Sequence, residues 1–438
     1  MPIFQHRCVR STVPGEHPLA GKTMYIPDMA EGSAKALCAT FRWIGIDARP
    51  TPPSDQHTLE IGGKFTSGDE CFPAKITMGD FVKITQAPGF DATRTVFFMA
   101  TLEGPCRFGQ YAPFLKKVLR ENGRDDVRVM SISGQNGYAD FEQCEGSFVR
   151  TAWRALVSAD ILRKLLLQTR PYETVAGSAD RAFHDSVEDF CQTLEGSCSS
   201  AACQMQSVRG SLRRAKNRFA SVPTKVGEKR PLIGIVGEIF CRLNTFSNQD
   251  LVRRLEAQGA ECWMSDIAEW IGYTNMEQFR DLRLAGKKYS WSMLGAKIRA
   301  RVQHADEHEL QSMFAKEFRA YREPSIEEVL ELAQPYLPFP GAEGEMVVST
   351  GRSAYLARYG VDGIVDISPF TCMNGVVSEA IYPKLSRENS GIPIRNFYFD
   401  GQQSDLDRDV GIYMELARSY RERRLREQSR RDVSALPA

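Results

Sequence analysis

Apolar runs of four to seven residues recur along the first 130 positions, and each is followed by a stretch with helical spacing. Lys22-Thr23-Met24-Tyr25-Ile26-Pro27 has the length of a strand, and Ser33 to Ile44 repeats its apolar residues every three or four positions (Ala34, Leu37, Phe41, Ile44). Thr95 to Ala100 predicts a buried strand, Gly109 to Asn122 a helix stopped by Gly123, and Val127 to Ile132 a further strand. From Phe148 to Gln168 the spacing is again helical. It stays so to about Ala220, with neither strand runs nor hairpin turns. The alternation restarts with a strand at Pro231–Gly237, a helix at Gln249–Gln258 and a strand at Ala260–Met264. A helix-rich stretch over 275–335 follows, then short strands at Met346–Ser349, Gly363–Ile367 and Arg395–Phe399. Ser404 to Arg431 predicts a long last helix, whose basic end reads as a solvated face favoured by the helix dipole.

Strands alternating with helices imply parallel sheets. The pattern therefore predicts an α/β protein with two parallel-sheet Rossmann-like domains and a helical connecting region. The boundaries fall at 1–150, 151–230 and 231–400, with a C-terminal helix and basic tail over 401–438.

Composition narrows the partners. Among 438 residues, 56 Lys and Arg balance 55 Asp and Glu, so the basic excess of a dedicated nucleic-acid binder is missing. No apolar run has the length of a membrane span, and the opening MPIFQHRCVRSTVPGEH lacks the apolar core of a secretory signal. The expectation is a cytoplasmic protein with neither nucleic-acid nor membrane partners. In that compartment eleven cysteines point away from disulfides and toward metal or redox chemistry, or toward buried thiols that pack as small hydrophobes.

Three cysteines stand apart. Cys71 lies in Gly68-Asp69-Glu70-Cys71-Phe72-Pro73, Cys106 in Gly104-Pro105-Cys106-Arg107-Phe108-Gly109-Gln110-Tyr111, and Cys372 in Ser368-Pro369-Phe370-Thr371-Cys372-Met373-Asn374-Gly375. Each occupies a Gly- or Pro-marked turn just before a helix, and the second and third follow strands. Turns at the carboxyl ends of parallel strands form the binding crevice of α/β domains, and a helix start favours a thiolate. Three such thiolates suit an iron–sulfur cluster with one iron left open. Cys71 and Cys106 fall in the first domain and Cys372 in the second, which places the expected site in the cleft between them. Of the others, Cys38 and Cys262 read as core, and Cys8 and Cys144 lie in irregular stretches. Cys241 follows a strand toward the same crevice, and Cys191, Cys198 and Cys203 form a weaker soft-metal candidate.

At these motifs the chain resembles the 2-hydroxyacyl-CoA dehydratase and benzoyl-CoA reductase subunit family, in a branch related to or fused with acyl-CoA dehydratase activases. The matching stretches are Gly63 to Pro73, Gly104 to Tyr111, Gly234 to Phe240 and Pro369 to Met373. The resemblance implies a [4Fe-4S] cluster on Cys71, Cys106 and Cys372. It also implies a lyase or reductase component acting anaerobically on an acyl-CoA-like small molecule, and a paired dehydratase-like subunit. A separate activase would hydrolyse ATP and inject one electron, making a ketyl radical of the thioester carbonyl. Cys241 departs from the apolar residue expected there. The chain also has neither a GxxxxGK[ST] loop nor an actin-like phosphate motif, so ATP hydrolysis is assigned to the activase.

Glu70 and Glu238 are the candidate acid–base residues, against a plain role as capping carboxylates. Arg107 suits charge compensation or a carboxylate, and Phe108 and Tyr111 suit a crevice wall. His304 and His308 have metal-ligand spacing but sit in a charged stretch that reads as surface. Two other readings stay open: a non-catalytic iron–sulfur accessory or electron-relay protein, and a cluster-free α/β protein that binds a small molecule.

Overall fold

The computed structural model describes residues 19–101, 104–131, 145–198, 200–225, 227, 229–318, 322–402 and 405–434. The candidate cysteines Cys8 and Cys144 lie outside the described residues. The chain forms two compact units: one of residues 1–166, 175–223 and 266–320, the other of 167–174, 224–265 and 321–438. The helical stretch after residue 150 is divided between the units, mostly in the first. Among the described residues no helix is long and apolar enough to cross a membrane.

The first unit holds an all-parallel sheet of order β2-β1-β3-β4: β1 (Thr23–Ile26), β2 (Asp47–Pro50), β3 (Thr95–Phe98) and β4 (Arg128–Met130). Its helices include α1 (Glu31–Trp43), α2 (Gln56–Phe65), α3 (Phe72–Thr85) and α4 (Tyr111–Glu121). The pleat of β3 separates two cores. Phe97 packs with Phe81, Val82, Leu115 and Val118 of α3 and α4, while Val96 and Phe98 pack with Cys38 and Phe41 of α1.

Five long helices complete this unit: α5 (Glu145–Thr169), α6 (Ser178–Glu195), α7 (Ala201–Ala220) and, after residue 266, the pair of α10 (Ile267–Leu284) and α11 (Trp291–Ser312). Arg154 of α5 is pinned to Asp306 of α11 at 2.8 Å, and Arg150 reaches the same carboxylate at 2.7 Å. Both Arg154 and Asp306 are buried, so part of the stretch read as surface from its charge is an internal ion pair. His304 and His308, on the same helix, are exposed.

The second unit holds the all-parallel sheet β6-β5-β7-β8: β5 (Leu232–Gly237), β6 (Glu261–Met264), β7 (Gly363–Pro369) and β8 (Ile394–Phe399). Its helices are α8 (Ile239–Leu243), α9 (Leu251–Ala257), α12 (Ile326–Ala333), α13 (Glu345–Arg358), α14 (Met373–Glu388) and α15 (Leu406–Ser434). The α/β class with two parallel, Rossmann-like sheets expected from the sequence is what the chain forms. One strand expectation fails: Met346–Ser349 is the first part of α13, not a strand. That helix is buried almost all round, and a short buried run has no periodicity to separate helix from strand.

Candidate functional site

In each sheet the order reverses between its two central strands, β1 and β3 in the first and β5 and β7 in the second. The crevice beyond the carboxyl ends of those strands is the ligand position of open parallel sheets. All three singled-out cysteines stand at helix starts as their turns predict. Cys71 is the N-cap of α3, Cys106 the N-cap of the 3-10 turn Arg107–Gln110 that leads into α4, and Cys372 the N-cap of α14. None of the three makes a side-chain cap hydrogen bond. All three are partly open, whereas Cys38, Cys191, Cys198, Cys241 and Cys262 are buried.

The first unit brings the Cys71 and Cys106 turns together. The Cys71 sulfur lies 2.7 Å from the Tyr111 hydroxyl, at the start of α4. The Arg107 guanidinium donates to the carbonyl of Asp69. Phe108 packs edge-on against Tyr111, with ring centroids 5.2 Å apart. Arg107 thus clasps the neighbouring turn. Glu70 is a second clasp: it accepts from the Ser67 N–H at 2.8 Å on an exposed loop. Burial pushes its carboxyl up, but the N–H groups of Glu70, Ser67 and Gly68 outweigh that and hold it below the usual range. After β1, burial raises Asp28 to about 6, with Glu31 adding to the shift.

The second unit carries different chemistry on the same edge. Glu238 follows β5 directly and caps α8, accepting from Phe240 N–H at 3.1 Å and Cys241 N–H at 2.7 Å. Gly237, at φ 113°, makes this approach possible. A Cβ there would stand 2.2 Å from the Ile367 carbonyl oxygen and 2.8 Å from an Asp366 carboxylate oxygen. Glu345, the first residue of α13, accepts from the Ile239 N–H at 2.9 Å. The two carboxyl groups therefore share the three consecutive N–H groups that open α8. Burial raises both, and Glu238 raises Glu345 further; the N–H groups of Cys241 and Phe240 pull Glu238 down, and Arg242 pulls both down. Asp366 lies inside β7 and accepts from Ser368 at 2.6 Å and Tyr382 at 2.5 Å. Burial pushes the Cys372 thiol well up, and Glu238 and Glu345 add to it. The N–H groups of Gly375 and Asn374 act the other way.

Glu345 is a residue that the sequence reading missed, because its neighbours read as a strand. The Gly344-Glu345 pair was the available signal: glycine at φ 92° followed by an acid opening a helix. Cys241 is fully buried, with its N–H rather than its thiol engaged by Glu238. Cys191 of α6 is buried in the first unit, and burial lifts its thiol to about 12, as it does that of Cys38. Cys198 lies 3.8 Å from the Ser207 hydroxyl, and Cys203 is partly open in the first turn of α7. Among the described residues no group of three or more His, Cys, Asp or Glu side chains is gathered to hold a metal ion. No protein-family model matches the chain, and neither does any curated protein.

Proposed function

We propose that this chain is an iron–sulfur component of the 2-hydroxyacyl-CoA dehydratase type, acting on an acyl-CoA-like small molecule. Cys71, Cys106 and Cys372 are its thiolate ligands, and an ATP-driven activase on another chain or domain is its electron source. The observation that carries the reading is the shared station of the three thiols. Each N-caps a helix at a Gly- or Pro-marked turn, partly open and without a side-chain cap bond. N–H groups at helix starts favour the thiolate, the form that binds iron, although at Cys372 burial and the neighbouring carboxyl groups act against them. A bound [4Fe-4S] cluster supplies a one-electron transfer at low potential.

The chain's own residues do the rest. The Tyr111 hydroxyl orients the Cys71 sulfur, and Phe108 and Tyr111 wall the crevice. Of the two acid–base candidates, Glu238 has the surroundings that hold a proton, because it shares a buried turn with Glu345. Glu70, with its carboxyl depressed, serves its loop.

Anaerobic reconstitution with iron and sulfide tests the proposal. The wild-type chain gains broad visible absorption and about four irons and four sulfides per chain, the content of one [4Fe-4S] unit. Each of Cys71→Ala, Cys106→Ala and Cys372→Ala loses them. Full iron and sulfide in all three variants overturns the assignment. The second reading, a cluster-free α/β protein binding a small molecule, is favoured by the lack of any gathered metal-ligand group among the described residues. It predicts that the wild-type chain takes up no iron.

A further inference from the structure

Leu284, Tyr289 and Trp291, at 80%, 92% and 86% exposure, are the most exposed large apolar side chains among the described residues. All three flank the turn that joins α10 to α11 in the first unit. From Asp281 to Tyr289 every residue but Leu282 is exposed, so the turn projects. Leu294 and Ile298 continue the patch along α11. With Trp291 they recur after three and four positions and so share one stripe. The opposite stripe, Met293 and Ala296, is buried. The first half of α11 is therefore apolar on two faces, and the chain covers one of them. A patch of this kind marks an interaction surface.

Charge indicates what covers the other face. From Leu282 to Ala305 the chain has six Lys and Arg and no Asp or Glu, in a protein whose net charge is +1. The six, Arg283, Lys287, Lys288, Lys297, Arg299 and Arg301, are all exposed. Among the described residues they contact no carboxylate. Arg299 donates to the Gln278 side-chain oxygen at 2.6 Å, and the Lys288 ammonium lies 5.4 Å from the centre of the Tyr289 ring. The basic end of α15 is different: Glu415, Glu422 and Glu427 are interleaved there, and Arg423 and Arg424 donate to the Ser390 carbonyl and the Asp362 carboxylate.

A second copy of the turn does not fit, because it would oppose cation to cation. Nucleic acid would meet the cations and leave Leu284, Leu294 and Ile298 in water. A bilayer surface with anionic head groups meets both. Trp and Tyr favour the head-group level, aliphatic groups reach the acyl boundary, and Lys and Arg stems lie along apolar surface with their charges at the phosphates. Helical spacing puts Lys297 and Arg301 on one side of the apolar stripe and Arg299 on the other, which suits a planar anionic surface.

We propose that the α10–α11 turn is a peripheral docking surface for a bilayer carrying anionic head groups, with Tyr289 and Trp291 seated at the head-group level and the six cations around them. The sequence expectation of no membrane partner rests on the missing apolar span and signal, and a head-group contact needs neither. The inference stands on the first unit and holds whether or not the chain carries a cluster.

Co-sedimentation of the full-length chain with vesicles tests it, using phosphatidylcholine alone and an equimolar mixture with phosphatidylglycerol. The chain binds the mixed vesicles, binds phosphatidylcholine alone far more weakly, and is released by added sodium chloride. Each cation near an anionic surface strengthens binding on the order of fivefold, so Lys287→Glu with Lys288→Glu weakens it at least about tenfold. Tyr289→Ser with Trp291→Ser also weakens it about tenfold at unchanged net charge, which plain charge attraction would not do. All four positions are exposed, and circular dichroism confirms that the variants fold. The proposal is overturned if the mixed vesicles do not bind, which leaves the turn to a protein partner, or if either double variant binds as the wild type does. It is also overturned if the chain is a dimer in solution that Tyr289→Ser with Trp291→Ser dissociates, which makes the turn a contact between copies.

Discussion

The two sheets share one plan and differ in the groups placed on it. Both have the order 2-1-3-4 within their own unit, and in both a cysteine caps the helix segment after the third strand, Cys106 in one and Cys372 in the other. In both a carboxylate follows the first strand, Asp28 or Glu238. In both a closely packed helix pair precedes the third strand. There the spacing is fixed by glycine: a Cβ on Gly62, Gly79 or Gly351 would meet a backbone oxygen of the partner helix at 2.0 Å. The start of the second helix of the pair is where they diverge. Cys71 stands there in the first unit and the Gly344-Glu345 step in the second. The first crevice thus presents two thiols with an aromatic hydroxyl, and the second one thiol with two carboxyl groups. A shared backbone plan fixes where side chains point; single positions decide what they do.

The largest effects should come from the buried ion pair of each unit. Asp306 holds Arg154 in the first unit, and Glu323 holds Arg352 at 2.6 Å and the Trp263 indole at 2.8 Å in the second. Asp306→Ala and Glu323→Ala should each cost about 3–5 kcal/mol by leaving a buried guanidinium uncompensated. Urea denaturation followed by tryptophan fluorescence and circular dichroism measures this. A loss below 1 kcal/mol in either would break the parallel between the units.

The helix-pair glycines come next. Gly79→Ala and Gly351→Ala should each destabilise by about 2–3 kcal/mol, because the added methyl meets backbone oxygen with no side chain to yield. Gly411→Ala, in α15 with nothing within 4 Å, should instead stabilise by about 0.5–1 kcal/mol. Equal changes at Gly79 and Gly411 in thermal unfolding would refute the packing argument.

The pH dependence tests the carboxylate that follows the first strand of the first unit. The folded Asp28 has its pKa raised from 3.8 to about 6 by burial, so the folded chain binds more protons than the unfolded chain between those values. Its contribution is complete below about pH 4 and is lost as pH rises through about 6, an effect of about 3 kcal/mol. Asp80, raised to about 7 by burial, acts with the same sign. Asp28→Asn should flatten the fall in stability between pH 4 and 7. An unchanged slope would show that Asp28 does not titrate as its burial requires.

The smallest effect is at Tyr111. Tyr111→Phe removes the hydroxyl beside the Cys71 sulfur, a loss of about 1 kcal/mol. Alkylation of Cys71 by iodoacetamide should change in rate while that of Cys372 does not. Equal changes at both would show that the effect does not come from the Tyr111 contact with Cys71.

Much of this arrangement was legible in the sequence. Strand length, helical spacing and glycine stops are local properties, so seven of the eight strands and the helical stretches after residue 148 could be read directly. The helix-start stations of Cys71, Cys106 and Cys372 were equally local, since a Gly- or Pro-marked turn before a helix fixes an N-cap. Asp47–Pro50 was not legible as β2, because Asp47, Arg49 and Pro50 carry no apolar alternation and the strand exists through its pairing with β1. The α13 start was hidden because Val347 and Val348 favour strands, and only burial on every side makes them helical. The division of the chain into units, which places α10 and α11 with the first sheet, depends on pairs such as Arg154 and Asp306 that are 152 residues apart. The same holds for the acidic crevice. Glu238 and Glu345 lie 107 positions apart, and no local pattern encodes that both accept from the N–H groups that open one short helix. Sequence determines what each short segment can be, because its energy is set within a few turns; tertiary structure alone decides which distant polar groups share a dry space, because that depends on how the whole chain buries them.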